Sequence, residues 1–216
     1  MIAVKTEELI AQLGADVSPV SRHAAIKRVS LAAAIGFVLS FLILLYGPGI
    51  RPDFVAASVT MPFWTKWAFT LSLAFAGLVI ARRLGNPDGE VRRAWLGLGL
   101  PWAIVAMMAI MELDAAPVAQ WQSLILGHTA STCSAAILVL SVPAFVACLL
   151  AFRRLAPVRL RLTGAVIGIL SAAVGATAYA FACPETSATF MLAWYGIGMA
   201  ASALIGTVVG PRFLRW

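Results

Sequence analysis

Arg153-Arg154-Leu155-Ala156-Pro157-Val158-Arg159-Leu160-Arg161 is a short basic turn set between two apolar stretches, 131–152 and 162–182. Its reading decides the fold. Each flanking stretch has the roughly 20 apolar residues that an α-helix needs to cross a bilayer. A turn of four arginines marks the side on which both helices end. The same pattern recurs outward along the chain. Further apolar runs cover about 29–46, 61–81, 94–113 and 189–210, and the pairs Arg82-Arg83 and Arg92-Arg93 flank the turn 84–90. Backbone groups in hydrocarbon must be bonded within their own segment, and no alternating barrel pattern is present, so the six runs are read as helices.

Composition agrees. Of 216 residues, 62% are hydrophobic and 12% charged, with a mean hydropathy of +0.94. A soluble domain carries about 25% charged residues. The formal charge of +7 does not point to nucleic acid, because basic pairs beside apolar spans are topology determinants. With the N-terminus placed in the cytoplasm, the inner side holds 14 of the 16 lysines and arginines and the outer side only Arg51 and Lys66. The positive-inside rule then puts both termini in the cytoplasm. The first span is longer than the roughly 7–15 residues of a signal-peptide core, so it is expected to stay uncleaved. The fold class expected is therefore all-α: a polytopic membrane protein with residues 1–28 as a cytoplasmic segment and 29–216 as a six-helix domain.

Smaller features follow from this frame. Asn86-Pro87-Asp88-Gly89 reads as a solvated hairpin. Trp64, Trp67, Trp121, Trp194 and Tyr195 are expected in interfacial belts, and Lys66 is expected to snorkel to the outer interface. Glu112 and Asp114 read as solvated ends of the third span. Gly164, Gly168, Ala172, Ala176 and Ala180 form a small-residue stripe on the fifth span, matched by Gly206 and Gly210 on the sixth, which suits close helix packing. Near the N-terminus, Thr6-Glu7-Glu8 is a helix-start pattern. Leu9, Ile10 and Leu13 make a small apolar face before Gly14 and Pro19. A helix of about 10 residues is unstable alone in water, so a partner should order it. Lipid-surface helices carry basic polar faces, whereas this segment offers Glu7, Glu8 and Asp16. A protein partner fits better than lipid.

Cys133 opens the fourth span, 20 residues or about 30 Å of helix before Arg153, and Cys183 closes the fifth, 22 residues or about 33 Å after Arg161. The two spans are antiparallel neighbours, so their outer ends hold one cysteine each at the same depth. If the fourth helix packs on the small-residue face near Ala180, the two fall within the disulfide window of about 4.4–6.8 Å between Cα atoms. An oxidising periplasm permits that bond. Matched depth favours a functional pair over two unrelated buried thiols. Cys148, about 22 Å below Cys133, is out of reach. His128 and Glu185 add N and O donors that, with Cys133 and Cys183, make up a soft metal set, although a membrane-edge histidine reads more simply as polar surface. No Cys-x-x-Cys, His-Glu-x-x-His, Gly-x-Ser-x-Gly or phosphate-loop motif is present. Charge is confined to the span ends, which disfavours a transporter. No enzyme activity is expected.

The chain also carries the pattern Thr6-Glu7-Glu8-Leu9-Ile10-Ala11-Gln12-Leu13 followed by Asp16, Pro19 and Val20, then Pro62-Phe63-Trp64 and Lys66. Further on stand Thr132-Cys133, Pro143, Arg153-Arg154-Leu155-Ala156-Pro157, Gly164, Tyr179, Cys183-Pro184-Glu185 and Trp194-Tyr195. On these residues, and over nearly its whole length, it resembles the NrsF-type membrane anti-sigma factors, negative regulators of an extracytoplasmic-function (ECF) sigma factor in proteobacteria. The resemblance implies a multi-pass protein of the bacterial inner membrane. Its cytoplasmic segment would hold the sigma factor through Leu9, Ile10, Leu13, Asp16, Pro19 and Val20. The thiols of Cys133 and Cys183 would receive an oxidative or heavy-metal signal, with no resident cofactor beyond a transient metal ion. No direct contact with nucleic acid is implied. The hairpin departs from the family pattern, which has a basic residue before Pro-Gly. Two rival readings are a small membrane thiol oxidoreductase, which lacks a second mobile cysteine pair, and a transport accessory protein, which lacks mid-membrane polar residues.

Overall fold

The computed structural model describes residues 6–7, 24–85, 91, 94–155 and 157–215. The expected partner-binding residues Leu9, Ile10, Leu13, Asp16, Pro19 and Val20 and the hairpin 86–90 lie outside them. Among the described residues all regular structure is helical, and six helices are long and apolar enough to cross a membrane. They are α1 (Ala24–Tyr46), α3 (Met61–Leu84), α4 (Trp95–Ala115), α6 (Ala130–Phe152), α7 (Leu160–Tyr179) and α8 (Ala188–Phe213). Two short helices that the sequence reading did not separate from loops, α2 (Phe54–Ser58) and α5 (Val118–Leu126), lie before α3 and α6.

The centre of the bundle is α7. Fifteen of its twenty residues are buried, and α8, α6, α3 and α1 pack around it while α4 lies at the edge against α3 and the start of α8. Small side chains explain its position, because they let neighbouring backbones come close enough for dense van der Waals contact where lipid supplies no hydrophobic drive. A Cβ on Gly164 would collide with the carbonyl oxygen of Gly206 and stand 2.8 Å from its carbon. One turn further, Ser202 Oγ donates to Gly168 O at 2.9 Å. The small-residue stripe thus meets α8. That contact is made at Gly164 and Gly168, while α6 crosses α7 at Gly175, where a Cβ would lie 2.7 Å from Ser141 N.

On the other side of α6 lies α1. A Cβ on Gly36 would stand 2.5 Å from the methyl of Ala144 and 2.8 Å from its nitrogen. Ser40 Oγ donates to Leu140 O at 2.5 Å. The two ends of the bundle differ sharply. Lys27, Arg28, Arg82, Arg83, Arg153, Arg154, Arg159, Arg161, Arg212 and Arg215 flank the helices at one end, where Arg28 Nη1 reaches Arg154 O at 3.1 Å. Cys133 and Cys183 belong to the other.

Candidate functional site

The thiol end is built from four chain segments. Thr129 precedes α6, and Cys133 sits in that helix's first turn. The end of α7 continues as a helical turn in which Ala182 N and Cys183 N both donate to Tyr179 O at 2.9 Å. Pro184 then stops it, since proline has no N–H to offer the turn and its ring crowds the preceding one. The result matches the depth argument made from residue counts. Cys133 and Cys183 are both fully buried, both free thiols, and close enough for each to act directly on the other. Cys148 is buried further along α6 and stands apart.

Lys66 is a correction. It does not snorkel: its side chain is 5% exposed, and Nζ donates to Cys183 O at 3.0 Å and Glu185 O at 2.6 Å. Burying an ammonium is costly unless its donors are paired, and the Cys-Pro-Glu turn supplies the carbonyls. Arg51, just beyond α1, joins it. Its Nη1 donates to Cys183 O at 3.2 Å, its backbone N to Phe181 O at 3.1 Å, and its guanidinium grips Asp53 at 2.7 and 2.6 Å. The pair holds the Asp53 carboxyl below the usual carboxylate range and raises Arg51 in turn. Phe181 packs edge-on against Phe41 of α1 and Trp67 of α3, with ring centroids 4.9 and 4.7 Å away, and stacks on Phe54 at 5.6 Å. So the two basic residues that break the inner-side charge rule, Arg51 and Lys66, converge on one carbonyl oxygen, that of Cys183. Their exceptional place in the charge count was the sequence signal that could have found them.

Glu185 and His128 are brought together, though not as metal ligands. Glu185 Oε1 accepts from His128 N at 2.7 Å, Thr129 N at 3.1 Å and Thr129 Oγ1 at 3.1 Å. The His128 ring is exposed. Gly127 makes the close approach possible. Its φ is +53°, and a Cβ there would lie 2.6 Å from Glu185 Oε2. Among the described residues no group of three or more His, Cys, Asp or Glu side chains is gathered as for a metal ion. The four-donor set is therefore not assembled, and two sulfurs remain.

Two more expectations are revised. Tyr195 is no belt residue but fully buried. It ends a π-helical turn, Met191–Tyr195, at the start of α8, and its hydroxyl is buried without a hydrogen-bond partner. Glu112 is no solvated helix end either, since its Oε2 accepts from Ser187 Oγ, Thr189 N and Thr189 Oγ1 at 2.8, 2.8 and 2.7 Å, tying α4 to the first turn of α8. The electrostatics of the pair are lopsided. The neighbouring Cys133 thiol is the largest influence holding the Cys183 thiol below its ordinary value. The Lys66 charge, the Glu185 amide and the Tyr195 hydroxyl act in the same direction, against the opposing effect of burial. Two sulfurs in contact can form a disulfide by giving two electrons and two protons to an oxidant, or can clasp a thiophilic cation.

Comparison with known proteins decides the family. Residues 13–216 match the family described as NrsF, negative regulator of sigma F. The chain belongs to the NrsF family. The anti-sigma-F factor NrsF of Caulobacter vibrioides is 35% identical over 214 residues, covering 99% of this chain and all of that protein. The probable anti-sigma-F factor NrsF of Azospira oryzae is 36% identical over 217 residues with the same coverage. No solved structure matches. Both relatives are named as anti-sigma-F factors, and neither name is that of an enzyme.

Proposed function

We propose that this chain is an anti-sigma factor of the bacterial inner membrane that holds an ECF sigma factor on its cytoplasmic N-terminal segment. It releases the sigma factor when the Cys133–Cys183 pair, facing the periplasm, is oxidised or captures a heavy-metal ion. Leu9, Ile10, Leu13, Asp16, Pro19 and Val20 form the sigma-binding surface. The names of the relatives support the partner. The observation that carries the sensing role is the closeness of two buried thiols at the end of the bundle opposite the arginine-rich one. A thiol-disulfide enzyme would need a further cysteine to relay electrons. Cys148, the one other cysteine in the sequence, stands away from the pair.

The coupling has a physical route. Helix α1 begins at Ala24, directly after the binding segment, and touches both sensor residues' supports: α6 through Gly36 and Ser40, and the Cys183 turn through Phe41 and Phe181. Joining the sulfurs shifts these two supports relative to each other and hence shifts α1. A signal ejects a bound partner only through differential affinity between the two states, and tenfold release needs about 1.4 kcal/mol. A disulfide or metal–thiolate bond that fits one state better than the other by that amount is sufficient. Affinity purification of the solubilised protein with and without residues 1–22 tests the binding half. The full chain is expected to bring down the sigma factor and the truncated chain none, whereas retention by the truncated chain would place the binding surface elsewhere.

A further inference from the structure

We propose that the arginine-rich end of the bundle carries a binding site for an anionic phospholipid, its phosphate held by Arg161, Arg212 and Arg215 and its acyl chains laid along α8. The three arginines line a cavity of about 870 Å³ between the start of α7 and the end of α8. That volume falls within the roughly 300–1,000 Å³ of sites that hold small molecules. Leu160, Val208 and Pro211 line the same space and give it an apolar side. Backbone contact fixes the walls. A Cβ on Gly210 would lie 2.8 Å from Leu160 O and 2.9 Å from the Cα of Gly164. The two helices therefore already touch beside the cavity and cannot close it by approaching further.

Charge names the ligand's head. Among the described residues none of the three arginines is ion-paired, the pair of Arg51 with Asp53 being at the other end. Arg212 Nη1 donates to Val208 O at 3.1 Å, which uses one of the five N–H donors of a guanidinium. The start of α7 and the end of α8 bring opposite dipole ends to the cavity, and these offset each other, so the guanidinium groups set its field. Their planar forks suit phosphate oxygens. The surface below names the tail. Leu204, Val208 and Arg212 follow at four-residue spacing on one face of α8, and Leu204 and Val208 are exposed. Over about 12 Å of helix that face passes from bare apolar surface to guanidinium. A phospholipid has the same order, chains and then phosphate, whereas a free anion or an acidic peptide leaves the apolar part unused. Under the charge rule this end is cytoplasmic, the side on which basic pockets between membrane helices hold anionic headgroups.

The test equilibrates full-length protein in neutral detergent with equal amounts of phosphatidylglycerol and phosphatidylcholine, repurifies it, and measures the retained lipids by mass spectrometry. Both lipids carry the phosphate, but the choline cation cancels its charge. Phosphatidylglycerol is expected to be enriched on the order of tenfold or more, at about fivefold for each arginine that meets the headgroup. Arg161→Gln/Arg212→Gln/Arg215→Gln should retain the two lipids equally. Arg153→Gln/Arg154→Gln/Arg159→Gln, which takes the same charge from the same end, should keep the enrichment. Val208→Trp fills the cavity without changing charge and should remove the enrichment with all three arginines in place. Two further arms address the other occupants. Excess inorganic phosphate should leave the bound phosphatidylglycerol in place, and deletion of residues 1–22, with their acidic side chains, should leave its amount unchanged. Equal retention by the wild-type protein, equal loss in the two triple variants, or full enrichment in Val208→Trp would overturn the proposal. So would displacement by inorganic phosphate, which marks a free-anion site, or a gain of lipid on deleting 1–22, which marks a site for that segment.

Discussion

Replacing Lys66 by methionine removes the ammonium while keeping most of the side chain's volume. Two hydrogen bonds disappear, the 3.0 Å bond to Cys183 O and the 2.6 Å bond to Glu185 O. They are not equivalent losses. Cys183 O keeps the Arg51 guanidinium at 3.2 Å, whereas the shorter bond to Glu185 O goes without such a substitute. One charge-assisted bond contributes a net of about 1.5–3 kcal/mol, so local detachment of the Cys-Pro-Glu turn becomes roughly 10- to 150-fold more frequent. Hydrogen–deuterium exchange of the backbone amides in 181–187 reads this directly. Protection there should fall by that factor in Lys66→Met, with amides in the middle of α7 unaffected. Unchanged protection across 181–187 would mean that Lys66 does not hold the turn, and the reasoning about Arg51 and Lys66 would be wrong.

Gly164→Ala places a methyl against the Gly206 carbonyl, where only backbone can give way. It should cost about 1–3 kcal/mol, the usual penalty of overpacking, seen as a lower unfolding midpoint in detergent. Gly36→Ala forces α1 away from Ala144, which should weaken the coupling between thiol modification and sigma release while leaving the alkylation rates of Cys133 and Cys183 as they are. The Arg51–Asp53 pair gives a pH signature. Asp53 has its pKa lowered by the hydrogen bonds from Arg51, so its stabilising effect is fully present above the ordinary carboxylate range and is lost as pH falls through the lowered value. The difference in thermal midpoint between wild type and Asp53→Asn should thus be constant around neutrality and vanish in acid. A difference that grows on acidification would contradict the assignment.

The six helices were legible because each apolar run is long and ended by charge, proline or glycine. Boundaries moved by a few residues: α1 starts at Ala24, ahead of 29, and α7 ends at Tyr179, short of 182. Residue counting also found the cysteine pair, since helical rise fixes depth and a short turn fixes adjacency. What it could not give was the direction in which side chains at the span ends point. Lys66 and Glu112 sit where snorkelling or solvation is the usual outcome, and only the folded neighbours, the Cys-Pro-Glu carbonyls and the Ser187–Thr189 turn, draw them inward. Tyr195 was hidden for a related reason. A π turn adds a residue to the helical period and rotates the ring away from the face that a 3.6-residue repeat assigns to it. The metal set failed because Glu185 is occupied by two backbone amides and a hydroxyl, contacts with no signature in sequence.

The thiol contact is the centre of the account, and cells report on it most directly. The fraction of sigma factor sedimenting with membranes is measured before and after exposure to a thiol oxidant and, separately, to a thiophilic metal ion. The comparison uses wild type, Cys133→Ser, Cys183→Ser and Cys148→Ser. Wild type and Cys148→Ser should lose sigma factor from the membrane with at least one of the two treatments, whereas neither Cys133→Ser nor Cys183→Ser should respond to that treatment. Release from Cys133→Ser or Cys183→Ser to the wild-type extent would contradict the claim that these two sulfurs act together as the sensor.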